Sequence, residues 1–369
     1  MKVLYDHQSF TGAKYGGVAR YFYDLMYALG QQKSVEIDLS LVFSNNVYLQ
    51  NSENFKVRSF KPTGFTNRLF SHLNRLNSAV KVMQNDFDVF HPTFFNNYFL
   101  SFLKENKPFV ITYHDVIPEK FANKYAELDG FDKDYKQNII NKASKIIAVS
   151  ENTKKDILDI FDVDASKIDV VHHTTHFISY KPNDSFSIET PEQFLLYVGN
   201  RDNYKNFDSF IKSVYPILLK NDDLFIICAG NNKFSKDEIS LFNHLKIGNR
   251  LIHYPIFSDD VLYRLYQKAI AFVYPSLYEG FGIPILEAFA CGCPVILSKA
   301  SSFPEVAKNA AIYFNPLDSE EIASQIESVI NKPELRLDLI QRGHERLKDF
   351  TPEKMANQTL DVYKSVLKK

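Results

Sequence analysis

Short apolar runs alternate with helical patterns along almost the whole chain. Six runs in the first half and six in the second have the length and the β-branched content of buried strands. They are KVLYD, EIDLSLVFS, VFHP, FVITYHD, KIIAVS and IDVVHH, followed by FLLYVGN, LFIICAG, RLIHYPI, IAFVYPS, PVILS and AAIYFNP. Apolar strands separated by helices are typical of parallel sheets covered on both faces. The pattern therefore predicts an α/β protein with two successive doubly wound sheets.

Helices are predicted between these strands. In the first half they include residues 18–30, 65–84, 134–143 and 151–160, the last capped by Ser150.

The polar segment 178–193 carries two prolines, interrupts the alternation and marks the domain boundary. We expect a first domain over residues 1–180 and a second over residues 190–350. A last helix within 351–369 packs on one domain or the other.

Composition and charge exclude several classes of protein. The 369 residues are 45% hydrophobic and 24% charged, which fits a globular protein of two domains. A formal net charge of −1 provides no general attraction to nucleic acid. The sequence shows neither a signal peptide nor an apolar run of about 18 residues that would span a membrane. Cys228, Cys291 and Cys293 are interpreted as buried thiols in a reducing cytoplasm.

Ligands of open parallel sheets bind beyond the carboxyl ends of the strands, so residues there are candidates for a site. After the first strand, Gly16 and Gly17 precede a helix, where a backbone can approach an anion closely. A flexible connecting loop is the alternative. His114 and Asp115 end the fourth strand and form a titratable pair, unless the histidine only closes a loop by hydrogen bonding.

In the second half, Arg201 and Lys205 follow the first strand and lie on a loop that enters a helix near Asn206. Two cations beside backbone donors suit a pyrophosphate group. A solvated surface pair is the alternative.

The segment YEGFGIPILEAF combines a glycine-rich loop with a helix whose first turn contains Pro284. Glu279 stands at the mouth of this loop and can accept hydrogen bonds from sugar hydroxyls. Glu287 lies among apolar residues, where a carboxylate is costly unless hydrogen-bonded, and a ribose diol offers two donors. A salt bridge from Glu287 to a core Lys or Arg is the alternative.

The sequence resembles the retaining glycosyltransferases of family four over essentially the whole chain. The resemblance is carried by the segment with Glu279 and Glu287 and by YGGVARY, YHD, AVSENTKKDI and GNRDNYKNF. The resemblance implies the GT-B fold, in which two Rossmann-like doubly wound domains face a central cleft. It also implies transfer of a hexose, of mannose or glucose type, from a nucleotide diphosphate sugar to a hydroxyl of a glycan or lipid-linked acceptor. The setting would be cell-surface polysaccharide synthesis, such as that of lipopolysaccharide O-antigen, in the cytoplasm or at the cytoplasmic face of the membrane.

The resemblance also gives roles to individual residues, with the donor bound mainly by the second domain. In the second domain it implies that Arg201 and Lys205 bind the donor phosphates, and that amides around Phe281, Gly282 and Ile283 contact phosphate and sugar. Glu279 would lie near the transferred sugar and Glu287 at the ribose. In the first domain, Gly16 and Gly17 would form a loop over the phosphates and His114 would face the sugar. The reaction would keep the anomeric configuration and need no metal cofactor. The base of the donor stays open, because Pro255 and Ile256 replace a glycine turn that usually borders it.

Other functions remain as alternatives. They are a sugar-nucleotide epimerase or hydrolase on the same fold, and a non-catalytic sugar-nucleotide-binding partner. A nicotinamide oxidoreductase is disfavoured because no G-x-G-x-x-G fingerprint follows the first strand. Two candidate metal groups are discounted. Asp86 and Asp88 precede a strand and do not end one, and the histidines at 172, 173 and 176 have no Cys or carboxylate close by in sequence.

The stretch 54–85 holds six Lys or Arg residues and no acidic residue. Its helix places Phe65, Leu69, Leu73, Leu76, Val80 and Met83 on one apolar stripe, flanked by Arg68 and Arg75. We expect this stripe to pack on the sheet of the first domain. The alternative is peripheral contact with an anionic membrane that carries a lipid-linked acceptor.

Overall fold

The computed structural model describes residues 1–12, 14–50, 52–122, 124–125, 132–201, 203–230 and 232–368. The chain divides into two compact units. Unit 1 comprises Met1–Thr174 together with Pro352–Lys369, and unit 2 comprises Thr175–Thr351.

Within its described residues, unit 1 has six strands, all paired in parallel. They are β1 Lys2–Tyr5, β2 Glu36–Leu39, β3 Val89–His91, β4 Val110–Tyr113, β5 Lys145–Ala148 and β6 Ile168–Val170. Its helices are α1 Gly17–Gly30, α2 Val47–Gln50, α3 Gly64–Gln84, α4 Ile117–Phe121, α5 Lys133–Lys142, α6 Glu151–Ile160 and α14 Pro352–Leu367. The strands form β2-β1-β3 and β4-β5-β6, which a bridge between Phe90 and Phe109 joins.

Unit 2 has one six-stranded parallel sheet in the order β12-β11-β10-β7-β8-β9. Its strands are β7 Gln193–Val198, β8 Leu224–Ala229, β9 Leu251–Tyr254, β10 Ala271–Tyr274, β11 Val295–Ser298 and β12 Ile312–Phe314. Its helices are α7 Phe207–Lys220, α8 Lys236–His244, α9 Asp259–Lys268, α10 Ile283–Ala290, α11 Phe303–Ala307, α12 Ser319–Asn331 and α13 Pro333–Leu347. The strand order reverses between β7 and β10, which is where ligands of such sheets bind.

The predicted strands are all confirmed, and the named helices agree to within one residue at each end. Ser150 caps α6 as predicted, since its side chain accepts a hydrogen bond from the Thr153 amide. Each sheet is buried because its strands are apolar on both faces, so the carboxyl ends of the strands remain as the place for polar groups.

Helix α14 belongs to the core of unit 1. Met355, Leu360 and Tyr363 lie in the same apolar cluster as Phe22 and Leu25 of α1. The chain therefore returns to unit 1 after it has completed unit 2.

A buried polar network connects α14 to the sheet of unit 1. The Tyr363 hydroxyl lies 2.7 Å from the Tyr5 hydroxyl and 2.6 Å from Nδ1 of His91. On its other side, Nε2 of His91 lies 3.0 Å from the Thr112 hydroxyl. Burial lowers the pKa of His91 to about 3, and repulsion between the protonated forms of His91 and His114 is a further cause, so the imidazole is neutral at neutral pH.

The expected packing of the α3 stripe on the sheet is wrong. Its apolar residues face away from the rest of unit 1, with Phe65 exposed to 75% and Leu76 to 62%. The opposite side, which includes Asn74, Ser78 and Val82, is buried instead. The physical reason is that this second face carries polar side chains that hydrogen-bond to the neighbouring backbone.

No helix in the described ranges combines the length and apolar content that a bilayer crossing requires.

Candidate functional site

The loops that follow β7 and β10 lie side by side in unit 2. The amide of Leu277 donates a hydrogen bond to the carbonyl of Tyr204 across 2.8 Å, which ties one loop to the other. These loops are far apart in sequence and become neighbours because β7 and β10 are adjacent strands. The structure thereby brings together two of the predicted residues, Lys205 and Glu279.

The ammonium of Lys205 lies 2.6 Å from Oε1 of Glu279 in a nearly buried ion pair. Ser276 donates its hydroxyl to the same carboxylate oxygen at 2.7 Å. The Tyr274 hydroxyl also hydrogen-bonds to Glu279, and burial followed by this carboxylate raises the pKa of Tyr274 well above its usual value. Because the phenol stays protonated it remains a donor, and the carboxylate is held in one orientation.

Two serines after β11 hold the loop of Glu279 from behind. The Glu279 amide donates to the Ser301 hydroxyl at 3.0 Å. The Ser302 hydroxyl bonds to the carbonyls of Glu279 and Phe281, each at 3.0 Å. The loop is therefore fixed by hydrogen bonds before any ligand arrives.

Gly282 gives the loop its turn into α10. Its φ of +97° is a conformation that L side chains rarely adopt. An added Cβ would also lie 3.0 Å from the Phe303 ring and from Cδ1 of Ile285. Gly282 therefore lets the backbone turn so that Ile283 and Pro284 start the helix, and the amino end of α10 follows the Glu279 loop directly.

Arg201 is nearly buried and does not extend into solvent. Its Nε pairs with Glu238, and its Nη2 donates to the carbonyls of Asn232 and Lys233 at 2.9 and 2.8 Å. Its Nη1 is buried and has no hydrogen-bond partner among the described residues. The predicted cation is thus oriented by Glu238 and keeps the two N–H donors of Nη1 for a further group.

Glu287 lies on α10, one to two turns after Gly282. The Tyr266 hydroxyl donates to Oε2 of Glu287 at 3.1 Å. Burial and then the Glu287 carboxylate raise the pKa of Tyr266 well above its usual value, so Tyr266 stays a donor. Glu287 is partly accessible and can accept hydrogen bonds from a ligand.

In unit 1, the predicted glycines lie at the start of α1. Gly16 precedes the helix with extended backbone, φ 168° and ψ 144°, and Gly17 is its first residue. A Cβ at either position would meet no atom within 4 Å. The fold of unit 1 therefore does not require glycine here.

His114 directly follows β4 and packs among aromatic rings. The ring of Tyr21 meets it edge-on at 4.9 Å, and the ring of His173 stacks on it at 5.6 Å. Burial lowers the pKa of His114 to about 3, so the side chain is a neutral imidazole at neutral pH. Its Nε2 is buried and has no hydrogen-bond partner among the described residues, which is unusual for a polar atom. Neighbouring Asp115 accepts a hydrogen bond from the Ile117 amide at the start of α4.

The aspartates and histidines that were discounted as metal ligands make contacts with other residues. Lys2 binds Asp86 through its ammonium at 2.7 Å and Asp88 through its amide at 2.8 Å. His173 stacks on His114, and His176 lies 2.9 Å from Asp259 in unit 2. Within the described part of the chain, no group of three or more His, Cys, Asp or Glu residues is arranged to hold a metal ion. Metal-independent chemistry stays a prediction.

Two family models match adjoining parts of this sequence. Residues 15–175 match the model described as Glycosyltransferase Family 4, and residues 181–346 match Glycosyl transferases group 1. Together the matches cover most of both units. The chain belongs to glycosyltransferase family 4.

Among the relatives of this family 4 member, the O-antigen chain mannosyltransferase RfbU of Salmonella typhimurium is 31% identical over 224 residues. The O-antigen chain mannosyltransferase B of Escherichia coli is 27% identical over 235 residues. In both cases the match spans 61% of this chain and 61% of the relative.

The fold of this family 4 member is similar to that of solved structures over its whole length. Anabaena Alr3699/HepE, solved in complex with UDP and glucose, aligns with a TM-score of 0.73 and 18% sequence identity. The alignment covers 99% of this chain and all of the other. The GT-B fold that the resemblance implied is therefore confirmed.

A cavity with both polar and aromatic lining residues lies in unit 1 of this family 4 member, at the carboxyl ends of β1 and β3. It measures about 290 Å³, and Gln8, Thr11, Arg75, Asn96 and Tyr98 are among its lining residues. The Arg75 guanidinium stands 5.7 Å from the centre of the Tyr98 ring. The strand order of unit 1 reverses between β1 and β3, so the cavity occupies a typical ligand position.

Sequence reasoning missed these cavity residues, and it missed Glu238, Ser301 and Ser302 of unit 2. Glu238 had a detectable signal, since Ser235 and Glu238 form a capping box at the start of α8. The serines had none, because their role depends on the adjacency of β10 and β11.

Proposed function

We propose that this family 4 protein is a retaining glycosyltransferase that moves a hexose from a nucleotide diphosphate sugar to a hydroxyl of a glycan or lipid-linked saccharide. The observation that carries the proposal is the Lys205–Glu279 ion pair at the point where the strand order of unit 2 reverses. Mannose is the first candidate sugar, because the relatives in Salmonella and Escherichia coli are named O-antigen mannosyltransferases. Synthesis of a cell-surface polysaccharide is the corresponding proposed setting.

In unit 2, we assign the diphosphate to Lys205, to the Nη1 donor of Arg201 and to the amides around Phe281, Gly282 and Ile283. Cations and the amino end of a helix favour a group that gains negative charge as the sugar leaves. These groups can stabilise the leaving diphosphate by themselves, which supports the expectation that no metal is needed.

The two glutamates then have separate roles. Glu287 is assigned to the ribose hydroxyls, because it is a partly accessible carboxylate that one phenol already orients. Glu279 is assigned to the transferred sugar, because Lys205, Ser276 and Tyr274 fix its position.

In unit 1, His114 is proposed to hydrogen-bond a sugar hydroxyl through Nε2. Since its pKa is lowered to about 3, it acts as a neutral partner and does not supply a proton as an imidazolium. The acceptor's proton would pass to the departing phosphate, with front-face attack and retention of configuration. The amides of Gly16 and Gly17 are proposed to contact a donor phosphate.

The acceptor saccharide is proposed to bind in the cavity of Gln8, Arg75 and Tyr98. The Arg75 guanidinium can donate hydrogen bonds to sugar hydroxyls, and the Tyr98 ring suits the apolar face of a pyranose. The cysteines Cys228, Cys291 and Cys293 are free and buried, which is compatible with the proposed reaction on the cytoplasmic side.

The first experiment is a thermal-shift panel of GDP-mannose, UDP-glucose, UDP-N-acetylglucosamine and the free diphosphates, all with EDTA. Binding to the native state raises the melting temperature by mass action. We expect a shift with GDP and GDP-mannose. Transfer from the donor that binds should give a product of the same anomeric configuration, measured by NMR of the anomeric proton, and an inverted product would contradict the mechanism.

Lys205→Ala tests the assignment of the diphosphate. Loss of a charge-assisted contact should weaken nucleotide binding roughly tenfold or more. Lys220→Ala removes an exposed lysine from the end of α7 and serves as the matched control. Equal affinities of the two variants for the diphosphate would refute the role of Lys205.

A further inference from the structure

Helix α3 presents a continuous row of large apolar side chains to solvent. Phe65 is exposed to 75%, Leu76 to 62% and Met83 to 49%, and Leu69, Leu73 and Val80 are also exposed. With 3.6 residues per turn, all of them fall within an arc of about 80° and extend over roughly 27 Å. We call this row the α3 stripe. Single exposed apolar residues are ordinary, but a row of this length usually marks an interaction surface.

The orientation of α3 is fixed by its opposite face. The side chain of Asn74 accepts hydrogen bonds from the amides of Val42 and Phe43, and it donates to the Phe43 carbonyl at 2.7 Å. The Ser78 hydroxyl donates to the Ser40 carbonyl at 2.8 Å. Rolling the helix to bury the stripe would break these buried bonds, so the stripe stays outward.

The charged residues of α3 itself and of the segment that leads into it are all basic. Residues 54–85 contain six of the 43 Lys and Arg residues of the chain and none of its 44 Asp and Glu residues. Arg68 of α3 and Lys61, three residues before the helix begins, are both exposed. Within the described residues, neither side chain lies within ion-pair distance of a carboxylate.

The apolar row and its basic neighbours together decide which partner can cover the α3 stripe, a second copy of the chain or a membrane. A second copy would bring the same basic rim against itself, which is repulsive in a two-fold interface. An apolar row with a basic border is instead the pattern of a helix that lies in the surface of an anionic bilayer. We propose that α3 docks lengthwise on a bilayer containing anionic phospholipid, with Phe65, Leu76 and Met83 at the boundary of headgroups and acyl chains.

The proposal does not depend on the proposed transferase function, because vesicle binding needs neither donor nor acceptor. The test is flotation of the full chain with vesicles of phosphatidylcholine alone or mixed with phosphatidylglycerol. We expect binding to the mixed vesicles, weaker binding without phosphatidylglycerol, and a decrease as salt is added.

Two variants separate the contributions of the apolar and the basic side chains to vesicle binding. Phe65→Ser with Leu76→Ser should weaken binding to mixed vesicles by about tenfold or more. Lys61→Gln with Arg68→Gln should weaken it by about tenfold and flatten its salt dependence. The matched control is Leu317→Ser with Leu337→Ser, which removes leucines of unit 2 exposed to 82% and 70%. Circular dichroism and thermal unfolding verify that each variant is folded.

Absence of binding to any vesicle would overturn the proposal, as would equal binding by the stripe variant and its control. A concentration-dependent dimer of the parent that the stripe variant abolishes, without vesicle binding, would also overturn it and would assign the stripe to a second copy. Retained binding in Phe65→Leu with Leu76→Met supports the proposal, because these changes keep the apolar surface.

Discussion

At the scale of the residue, two glycines of the candidate site differ in what their surroundings require. Gly282 adopts a φ of +97° and is crowded by Phe303 and Ile285. Gly17 has open space around it. The first glycine is explained by the fold, whereas the second is explained only if a ligand approaches its backbone.

We therefore expect opposite results from two alanine substitutions. Gly282→Ala should lower the free energy of unfolding by about 1–3 kcal/mol, because a non-glycine residue is strained at this φ. Gly17→Ala should leave stability unchanged or raise it by up to about 1 kcal/mol, yet weaken nucleotide-sugar binding several-fold. Urea unfolding and titration calorimetry measure the two effects. Unchanged donor affinity in Gly17→Ala would remove this residue from the site.

At the scale of the element, the twelve strands were predictable because a buried parallel strand is a short apolar run. The contacts between elements were not predictable. Lys205 and Glu279 are 74 positions apart, and their ion pair depends on β7 lying beside β10. Helix α3 shows the same limit, since its periodicity revealed an apolar stripe but not that Asn74 and Ser78 would form the buried side.

Helix α14 offers a test of what one hydrogen-bonding residue contributes to an element. Tyr363→Phe would deprive His91 and Tyr5 of a buried partner, and an unsatisfied buried polar group costs about 1–3 kcal/mol. The melting temperature should fall accordingly. Tyr27→Phe, at a tyrosine exposed to 47% on α1, is the control and should change it little. Equal melting temperatures for both variants would show that the network does not hold α14.

At the scale of the whole molecule, buried histidines should make stability depend on pH. Burial lowers the pKa of His91 and of His114 to about 3, and it lowers that of His173 well below its usual value. In the unfolded chain a histidine titrates near 6.5. Between about pH 3 and pH 6.5 the unfolded state binds more protons than the native state, so acidification favours unfolding.

The free energy of unfolding should thus be at its full value above about pH 6.5 and decline toward pH 3, by up to about 1.4 kcal/mol per pH unit for each buried histidine. Urea unfolding at several pH values between 7.5 and 4.5 measures the slope. His91→Gln should reduce that slope, whereas His72→Gln, at an exposed position of α3, should not. A free energy of unfolding that stays constant between pH 7 and pH 5 would contradict the burial of these imidazoles.

The return of α14 to unit 1 also affects the order in which the protein forms during translation. Unit 2 is one continuous stretch, Thr175–Thr351, so its sheet can close as soon as that stretch has left the ribosome. Unit 1 begins earlier but lacks Tyr363 and the apolar face of α14 until the following residues emerge. The nascent chain therefore carries an incomplete first core for the whole time that the second is synthesised, and the unit begun first is completed last.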